Sequence, residues 1–238
     1  MVSVVTPVFN EEKIVVEAVQ RILLQPGVDE LVVVDDGSTD RTSGLLARMS
    51  RQKKRLKVFR QSRRKGKGAA LQRGFREARG QVLFIQDADL EYDIQALPRM
   101  IEPIAKGKAD AVFGSRFISA EPHRVLYYHH RMANGAITAL SNLFTNLNLT
   151  DVECGQKAFR REVLKGVNLV ENRFGVEVEL AALVGGGGWR VFEVGVPYSG
   201  RTYAEGKKIR WPDALDAIRA VVAGWLRHRI FSSMDPRW

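Results

Sequence analysis

The sequence predicts an α/β fold: a single Rossmann-like domain with a mostly parallel central sheet flanked by helices, followed by an amphipathic helix near its end. Three observations carry this. Short apolar runs bounded by turn residues recur at Leu31-Val32-Val33-Val34, Val82-Leu83-Phe84-Ile85 and Ala111-Val112-Phe113-Gly114, and such runs read as strands buried on both faces. Segments of helical spacing alternate with them, which argues parallel strands joined by right-handed crossovers. Two of the runs end in carboxylates, Asp35-Asp36 and Asp87-Ala88-Asp89, at the strand ends where open α/β sheets bind ligands.

The elements follow in order. Val2 to Val5 reads as the first strand, broken by Pro7. Asn10, a plausible N-cap, opens a helix to about Leu24 with Ile14, Val15, Ala18, Val19 and Ile22 on one face, and Pro26-Gly27 ends it. After the strand Leu31–Val34, Ser38-Thr39-Asp40 caps a helix reaching about Met49, and Leu56 to Phe59 is a short strand. A glycine loop at Gly66-Lys67-Gly68 starts the next helix, ahead of the strand Val82–Ile85. Pro98 to Ile104 is helical and Ala111 to Gly114 is another strand. Later come a helix from Arg124 to about Leu147, one from Phe174 to Leu183 stopped by Gly185 to Gly188, and a strand from Trp189 to Val196. Trp211 to Arg227 is an amphipathic helix with Leu215, Ile218, Val221, Val222, Trp225 and Leu226 on one face.

The 238 residues suit one α/β domain, and 45% hydrophobic content is enough to build a sizeable core. One domain is expected over residues 1–228, with a nucleotide-binding half at 1–118, an acceptor half at 119–228 and a tail at 229–238. A single cysteine, Cys154, excludes an intrachain disulfide and suits a reducing compartment. No leader is expected, because the first strand begins at once, and no apolar stretch approaches the ~20 residues of a membrane span. Net charge is +10, with ten Lys or Arg and no acid between Arg51 and Lys67. That stripe reads either as a solvated surface or as a site for anions. Nucleic acid is not an expected partner: both aspartate clusters would go unexplained, and no base-stacking motif is present.

Asp87-Ala88-Asp89 reads in two ways. Two carboxylates past a strand end can turn toward one Mg²⁺ or Mn²⁺ whose remaining sites go to phosphate oxygens and water, with Glu91 as a further ligand. They can also simply cap the next helix. Asp35-Asp36-Gly37-Ser38 can hydrogen-bond a ribose or base edge, or be a plain turn. Gly66-Lys67-Gly68 resembles a phosphate-cradling helix start but is neither a P-loop nor a dinucleotide fingerprint. Arg116, Arg131, Lys157, Arg201, Lys207 and Lys208 are scattered cations: arginine suits bidentate binding of phosphate, but each alone reads first as a surface charge. His129-His130 face different ways on a helix and do not read as a metal site, and Cys154 reads as structural.

These motifs resemble a family. VVTPVFNEE within residues 2–12, VVVDDGSTD at 32–40, KGKGAALQRGF at 65–75, IQDADLEYD at 85–93, AVFGSRF at 111–117, TDVECGQKAFRREVL at 150–164, NRFGVEVEL at 172–180 and YSGRTYAEGKKI at 198–209 are similar to the GT-A-fold, family 2 glycosyltransferases, in their polyprenyl-phosphate branch. The resemblance implies metal-dependent, inverting transfer of a hexose from a nucleoside-diphosphate sugar of the GDP-mannose or UDP-glucose type to polyprenyl phosphate. Pro7, Asn10, Glu11, Asp35, Asp36, Ser38 and Lys67 would line the nucleotide site with Asp87. Asp89 would be the principal ligand of Mg²⁺ or Mn²⁺, helped by Asp87 and Glu91. Arg116, Arg131, Asn134, Arg201 and Lys207 would bind acceptor and donor phosphates, and Gln156 and Lys157 would line the sugar pocket. A lipid phosphate is already an anionic nucleophile, so no strong base is needed; Asp151 is the candidate base should the acceptor be a soluble or glycan hydroxyl. A non-catalytic nucleotide-sugar-binding module is the remaining alternative. The chain is expected at the cytoplasmic face of a membrane, held by peripheral contact through the stretch Tyr127 to Leu147 and the helix after Trp211 or by a membrane partner.

Overall fold

The computed structural model describes residues 1–118, 124–125, 127–172 and 175–200. The amphipathic helix expected after Trp211, Arg201 and Lys207 lie outside the described residues.

Seven strands form one sheet in the order β3-β2-β1-β4-β6-β5-β7. They are β1 (Val2–Val8), β2 (Glu30–Asp35), β3 (Leu56–Arg60), β4 (Val82–Ile85), β5 (Ala111–Ser115), β6 (Lys157–Arg160) and β7 (Val191–Gly195). The strands β3, β2, β1 and β4 are mutually parallel, as are β5 and β7. Between them β6 runs antiparallel to both β4 and β5. The chain therefore winds outward from β1 through β2 to β3 and then crosses to the other side of β1 for β4. The reversal makes a crevice beyond the carboxyl ends of β1 and β4, where such sheets take their ligands.

Alternate strand residues face opposite sides, so the sheet separates two apolar layers. Val4, Val33, Phe84 and Val112 pack with Val15, Val19 and Ile22 of α1 (Val15–Leu24), Leu46 of α2 (Thr42–Gln52), and Leu97 and Met100 of α4 (Leu97–Ala105). Val5, Val32, Val34, Leu83, Ile85 and Phe113 pack with Ala70, Leu71 and Phe75 of α3 (Lys67–Glu77), Ile137 of α5 (Tyr128–Thr145), Val163 of the short α6 (Arg161–Leu164), and Leu180 and Val184 of α7 (Val176–Gly186). Burial of this order, at roughly 25 cal/mol per Å² of apolar surface, is what holds the strand ends in place.

Two expectations are corrected, and two elements are added. Pro7 does not break β1: it pairs with Val34, while the ladder to β4 ends at Val5, so the missing amide is not needed on that side. Asn10 is not an N-cap. It lies at φ 52°, its side chain is spent on Thr39, and the helix begins only at Val15, whose amide bonds the Glu11 carbonyl. The strand β6 and the short α6 after it were not foreseen. Lys157-Ala158-Phe159-Arg160 is short and charged at both ends, and only its neighbours β4 and β5 make it a strand.

Candidate active site

The loops after β1 and β2 are joined by hydrogen bonds. The Asn10 amide donates to the Ser38 hydroxyl at 3.0 Å, the Glu11 amide to the Thr42 hydroxyl at 2.9 Å, and the Thr39 amide to the Asn10 side-chain oxygen Oδ1 at 2.9 Å. Asp35 is buried and works inside its own loop, accepting from the Ser38 amide at 2.9 Å and from the Ser43 hydroxyl, with Arg60 at 3.6 Å. Asp36 reaches across to the loop before α3. It accepts the Lys65 and Gly66 amides, each at 2.8 Å, and the Gln61 side chain at 3.1 Å. Gly66 stands at φ 103°, a conformation other residues rarely adopt, and so turns the chain into α3 with Lys67 as its first residue. Asp35, Asp36, Asn10 and Ser38 are thus brought together in a scaffold that sets the position of Lys67.

Lys67 bonds the Asp87 carboxylate at 2.8 Å and Glu177 of α7 at 2.7 Å. Glu177 also bonds Lys157, which is 0% exposed and donates as well to the Cys154 carbonyl. The result is an alternating chain, Asp87, Lys67, Glu177, Lys157, drawn from four elements. Burial alone would push the Lys67 ammonium down; Asp87 and Glu177 outweigh it and hold the charge firmly. Burial pushes the Asp87 carboxyl up, Lys67 opposing it, whereas at Glu177 the two lysines win over burial and keep the carboxylate ionised. Cys154 is buried, its thiol pushed up to about 12 by burial, and is structural as expected.

Asp89 accepts the Glu91 amide at 3.1 Å, and between them Leu90 sits at φ 61°, a strained position of the kind found at binding loops. Glu91 accepts the Tyr198 hydroxyl at 2.7 Å, and the Tyr198 ring lies 4.9 Å from that of Tyr92. The Tyr92 hydroxyl in turn accepts the Gly155 amide at 3.1 Å. Among the described residues no three His, Cys, Asp or Glu side chains converge to hold an ion, so Asp87, Asp89 and Glu91 do not form one cage. Hard cations of the Mg²⁺ type bind through one or two carboxylates plus substrate phosphates rather than through all-protein cages. Asp89 and Asp87 fit an ion that arrives with a diphosphate.

Across the crevice, Arg116 makes a bidentate pair with the fully buried Asp151, Nε to Oδ2 at 2.6 Å and Nη2 to Oδ1 at 2.7 Å, and its amide adds a third bond at 3.0 Å. Nη2 also donates to the Asn134 side-chain oxygen Oδ1 at 3.1 Å, and the buried Asn134 Nδ2 has no hydrogen-bond acceptor. Arg116 and Arg131 both lie against the Phe117 ring, at 5.5 and 4.5 Å, so two of the scattered cations meet there. Two expectations fail. Both oxygens of Asp151 are occupied by Arg116, so it is not placed as a base. Gln156 and Lys157 are fully buried: the amide of Gln156 bonds the Gln86 oxygen at 2.7 Å and the Asp93 carbonyl at 2.9 Å, so they form the floor of the site and do not line an open pocket.

Sequence reasoning passed over Glu177 and Glu153. The first carries a readable signal: Glu177 and Glu179 interrupt an otherwise apolar helix and are both buried, so each needs partners. Glu179 finds the Val170 and Glu171 amides at 2.9–3.1 Å; Glu177 finds the lysines. Nothing local marks Glu153, whose carboxyl is pushed up to about 7 by burial and by Glu177.

A sheet that reverses its winding beside β1, with carboxylates and a lysine at the reversal point, is that of an α/β protein that takes its ligand at the carboxyl ends of its strands. The profile of the glycosyl transferase family 2 matches residues 3–167, and the chain belongs to that family. It is similar to a dolichol-phosphate mannosyltransferase of Pyrococcus furiosus, 34% identical over 87% of this chain and 58% of the relative. It is also similar to a dodecaprenyl-phosphate galacturonate synthase of Rhizobium johnstonii, 30% identical over 71% of this chain and 50% of the relative. The chain thus spans about half the length of these curated relatives. Among solved structures, a glucosyl-3-phosphoglycerate synthase of Mycobacterium tuberculosis in complex with Mn²⁺, UDP and phosphoglyceric acid superposes with a TM-score of 0.72 at 25% identity, covering 96% of this chain and 78% of that one.

Proposed function

We propose that the chain transfers a hexose, with inversion, from a nucleoside-diphosphate sugar to polyprenyl phosphate. The observation that carries this is the division of the crevice into two differently charged ends. One end holds the carboxylates Asp87 and Asp89 with Lys67, suited to a diphosphate and its cation. The other holds Arg116 and Arg131 beside Phe117, suited to an anionic acceptor. Because Asp151 is committed to Arg116, an acceptor that needs no deprotonation fits best, and relatives named for polyprenyl-phosphate transfer support the same choice.

In this reading residues 1–118 hold the nucleotide and the later half presents the acceptor. Pro7, Asn10, Glu11 and the Asp36-pinned loop frame the nucleoside, while Lys67 turns from Asp87 toward the leaving diphosphate with Glu177 as its anchor. Asp89 and Asp87 would hold Mg²⁺ or Mn²⁺, which would offset the charge that grows on the leaving diphosphate. Arg116, oriented by Asp151 and Asn134, and Arg131 hold the acceptor phosphate in line with the anomeric carbon. Catalysis is then positioning plus charge stabilisation. No helix among the described residues is long and apolar enough to cross a membrane. The exposed Tyr128 and Met132 on α5 support peripheral contact with a membrane.

The phosphoglyceric acid bound by the solved relative favours a second reading, with a soluble phosphorylated acceptor. The test is transfer of label from UDP-glucose and GDP-mannose, with Mg²⁺ or Mn²⁺, into undecaprenyl phosphate or phosphoglycerate. The proposal expects labelled lipid that is lost in Asp89→Ala; label in phosphoglycerate alone would establish the second reading instead.

A further inference from the structure

We propose that Glu153 recognises the sugar of the donor: its inner carboxylate oxygen accepts a hydrogen bond from a hydroxyl of the hexose being transferred. The inference rests on the glycosyltransferase reading and adds a residue to it.

Glu153 lies in the loop 151–156, which is fixed at both ends. Its start is tied to β5 and β7, because Asp151 holds Arg116 while the Thr150 and Asp151 amides bond Glu193 at 2.8 and 3.2 Å. Its end is pressed on the Asp87 loop. The Gly155 amide bonds the Tyr92 hydroxyl at 3.1 Å, and the backbone of Gly155 runs so close to the Asp87 carboxylate that a side chain there would collide with it. The loop thus joins the two ends of the crevice, and Glu153 lies along it between Asp151, which holds Arg116, and Gly155, which touches Asp87.

The carboxylates around it already have donors. Asp87 has Lys67, Asp151 has Arg116, Glu177 has both lysines and Glu91 has Tyr198. Glu153 Oε1 is buried and has no hydrogen-bond partner. Such an atom calls for an explanation, and a bound ligand is one. The charged groups that face Glu153 are Glu177 from α7, Lys157 from β6, Arg116 after β5 and Asp151 from its own loop. The two cations are already paired with the two anions, so no spare cation is left for Glu153. What is missing is a neutral donor. A diphosphate or a phosphate acceptor presents oxygens that a carboxylate repels, whereas a hexose presents several hydroxyls. The pull of burial and Glu177 on the carboxyl, up to about 7, agrees with a group waiting for a donor that the protein does not itself provide.

The experiment is calorimetric titration of the full chain, with Mn²⁺ present, by UDP, UDP-glucose, GDP and GDP-mannose, for the wild type, Glu153→Gln and Glu153→Ala. The proposal expects the affinity for the nucleoside diphosphate to stay at the wild-type value in both variants. The affinity for the matching nucleotide sugar should fall about tenfold or more in Glu153→Ala, the loss of a charge-assisted hydrogen bond, and by less in Glu153→Gln, which keeps a neutral acceptor oxygen of the same shape. If Glu153→Ala does not fold, the isosteric Glu153→Gln carries the same comparison. The proposal is overturned if nucleotide-sugar affinity is unchanged or if both ligands weaken equally. A wild type that binds none of the four ligands would sink the glycosyltransferase reading and this inference with it; wild-type binding left untouched by the variants would sink only the inference.

Discussion

The carboxylates after β2 and after β4 look alike in the sequence and are neutralised in different ways. Asp36 is met by the backbone amides of Lys65 and Gly66, groups that cannot move without unfolding the loop. Asp87 is met by a lysine on a flexible stem, itself held from behind by Glu177. A carboxylate bound by amides builds a frame. A carboxylate bound by an ammonium can exchange that partner for a metal ion or release it to a diphosphate. The same residue type is therefore structural at one strand end and available for chemistry at the other.

Replacing Lys67 breaks this contrast most severely. Lys67→Met leaves Asp87 without its cation and Glu177 with Lys157 alone. Breaking a buried pair costs about 3–5 kcal/mol, with the lower end expected here because Lys67 and Asp87 keep 17% and 18% exposure. Transfer should also fall roughly 100-fold or more, read as kcat/KM at a temperature where the variant is folded. Asp36→Asn tests the frame. One amide loses its acceptor, so denaturant unfolding should show a loss of about 1–2 kcal/mol, with nucleotide affinity weakened less than in Lys67→Met. Equal losses in the two variants would erase the distinction.

A third prediction moves away from the crevice. Asp110, ahead of β5, accepts Arg190 through Nε and Nη2, both at 2.9 Å, and Arg160 at 3.0 Å, joining the starts of β5 and β7 to the end of β6. The Arg190 guanidinium bonds hold its carboxyl well below the ordinary value of 3.8. A depressed folded value means that the stabilisation is complete above that ordinary value and is lost as pH falls below it. Asp110→Asn should therefore lower Tm near neutral pH without changing KM, and its deficit against the wild type should shrink under acid. The smallest effect belongs to Arg21→Ala. Its ion pair with Glu17 is exposed on α1, and stability should change by about 0.5 kcal/mol or less.

Much of the first half was legible because its information is local. The apolar runs of β2 and β4, the glycine start of α3 and the carboxylates at strand ends are each visible within a dozen residues, and consecutive parallel strands carry the pattern forward. The second half depends on long-range partners. β6 is a strand because β4 and β5 lie on either side of it, and Lys157 is buried because Glu177, distant in sequence, is there to receive it. Asp151 had the right chemistry for a base, yet Arg116 uses both of its oxygens, a fact that spacing could not disclose. Pro7 was misread for the same reason: a proline breaks a strand only where its amide would have had a partner.

The central claim is that the acceptor is an anion at Arg116 and Arg131 and needs no base. The most direct measurement is a competition between undecaprenyl phosphate and the corresponding alcohol, undecaprenol, for label from the nucleotide sugar that the chain binds. The account predicts labelled phosphate lipid, unlabelled alcohol, and loss of the product in Arg116→Met. Label entering the alcohol at a comparable rate would contradict it, because a hydroxyl acceptor requires a base that Asp151 cannot provide.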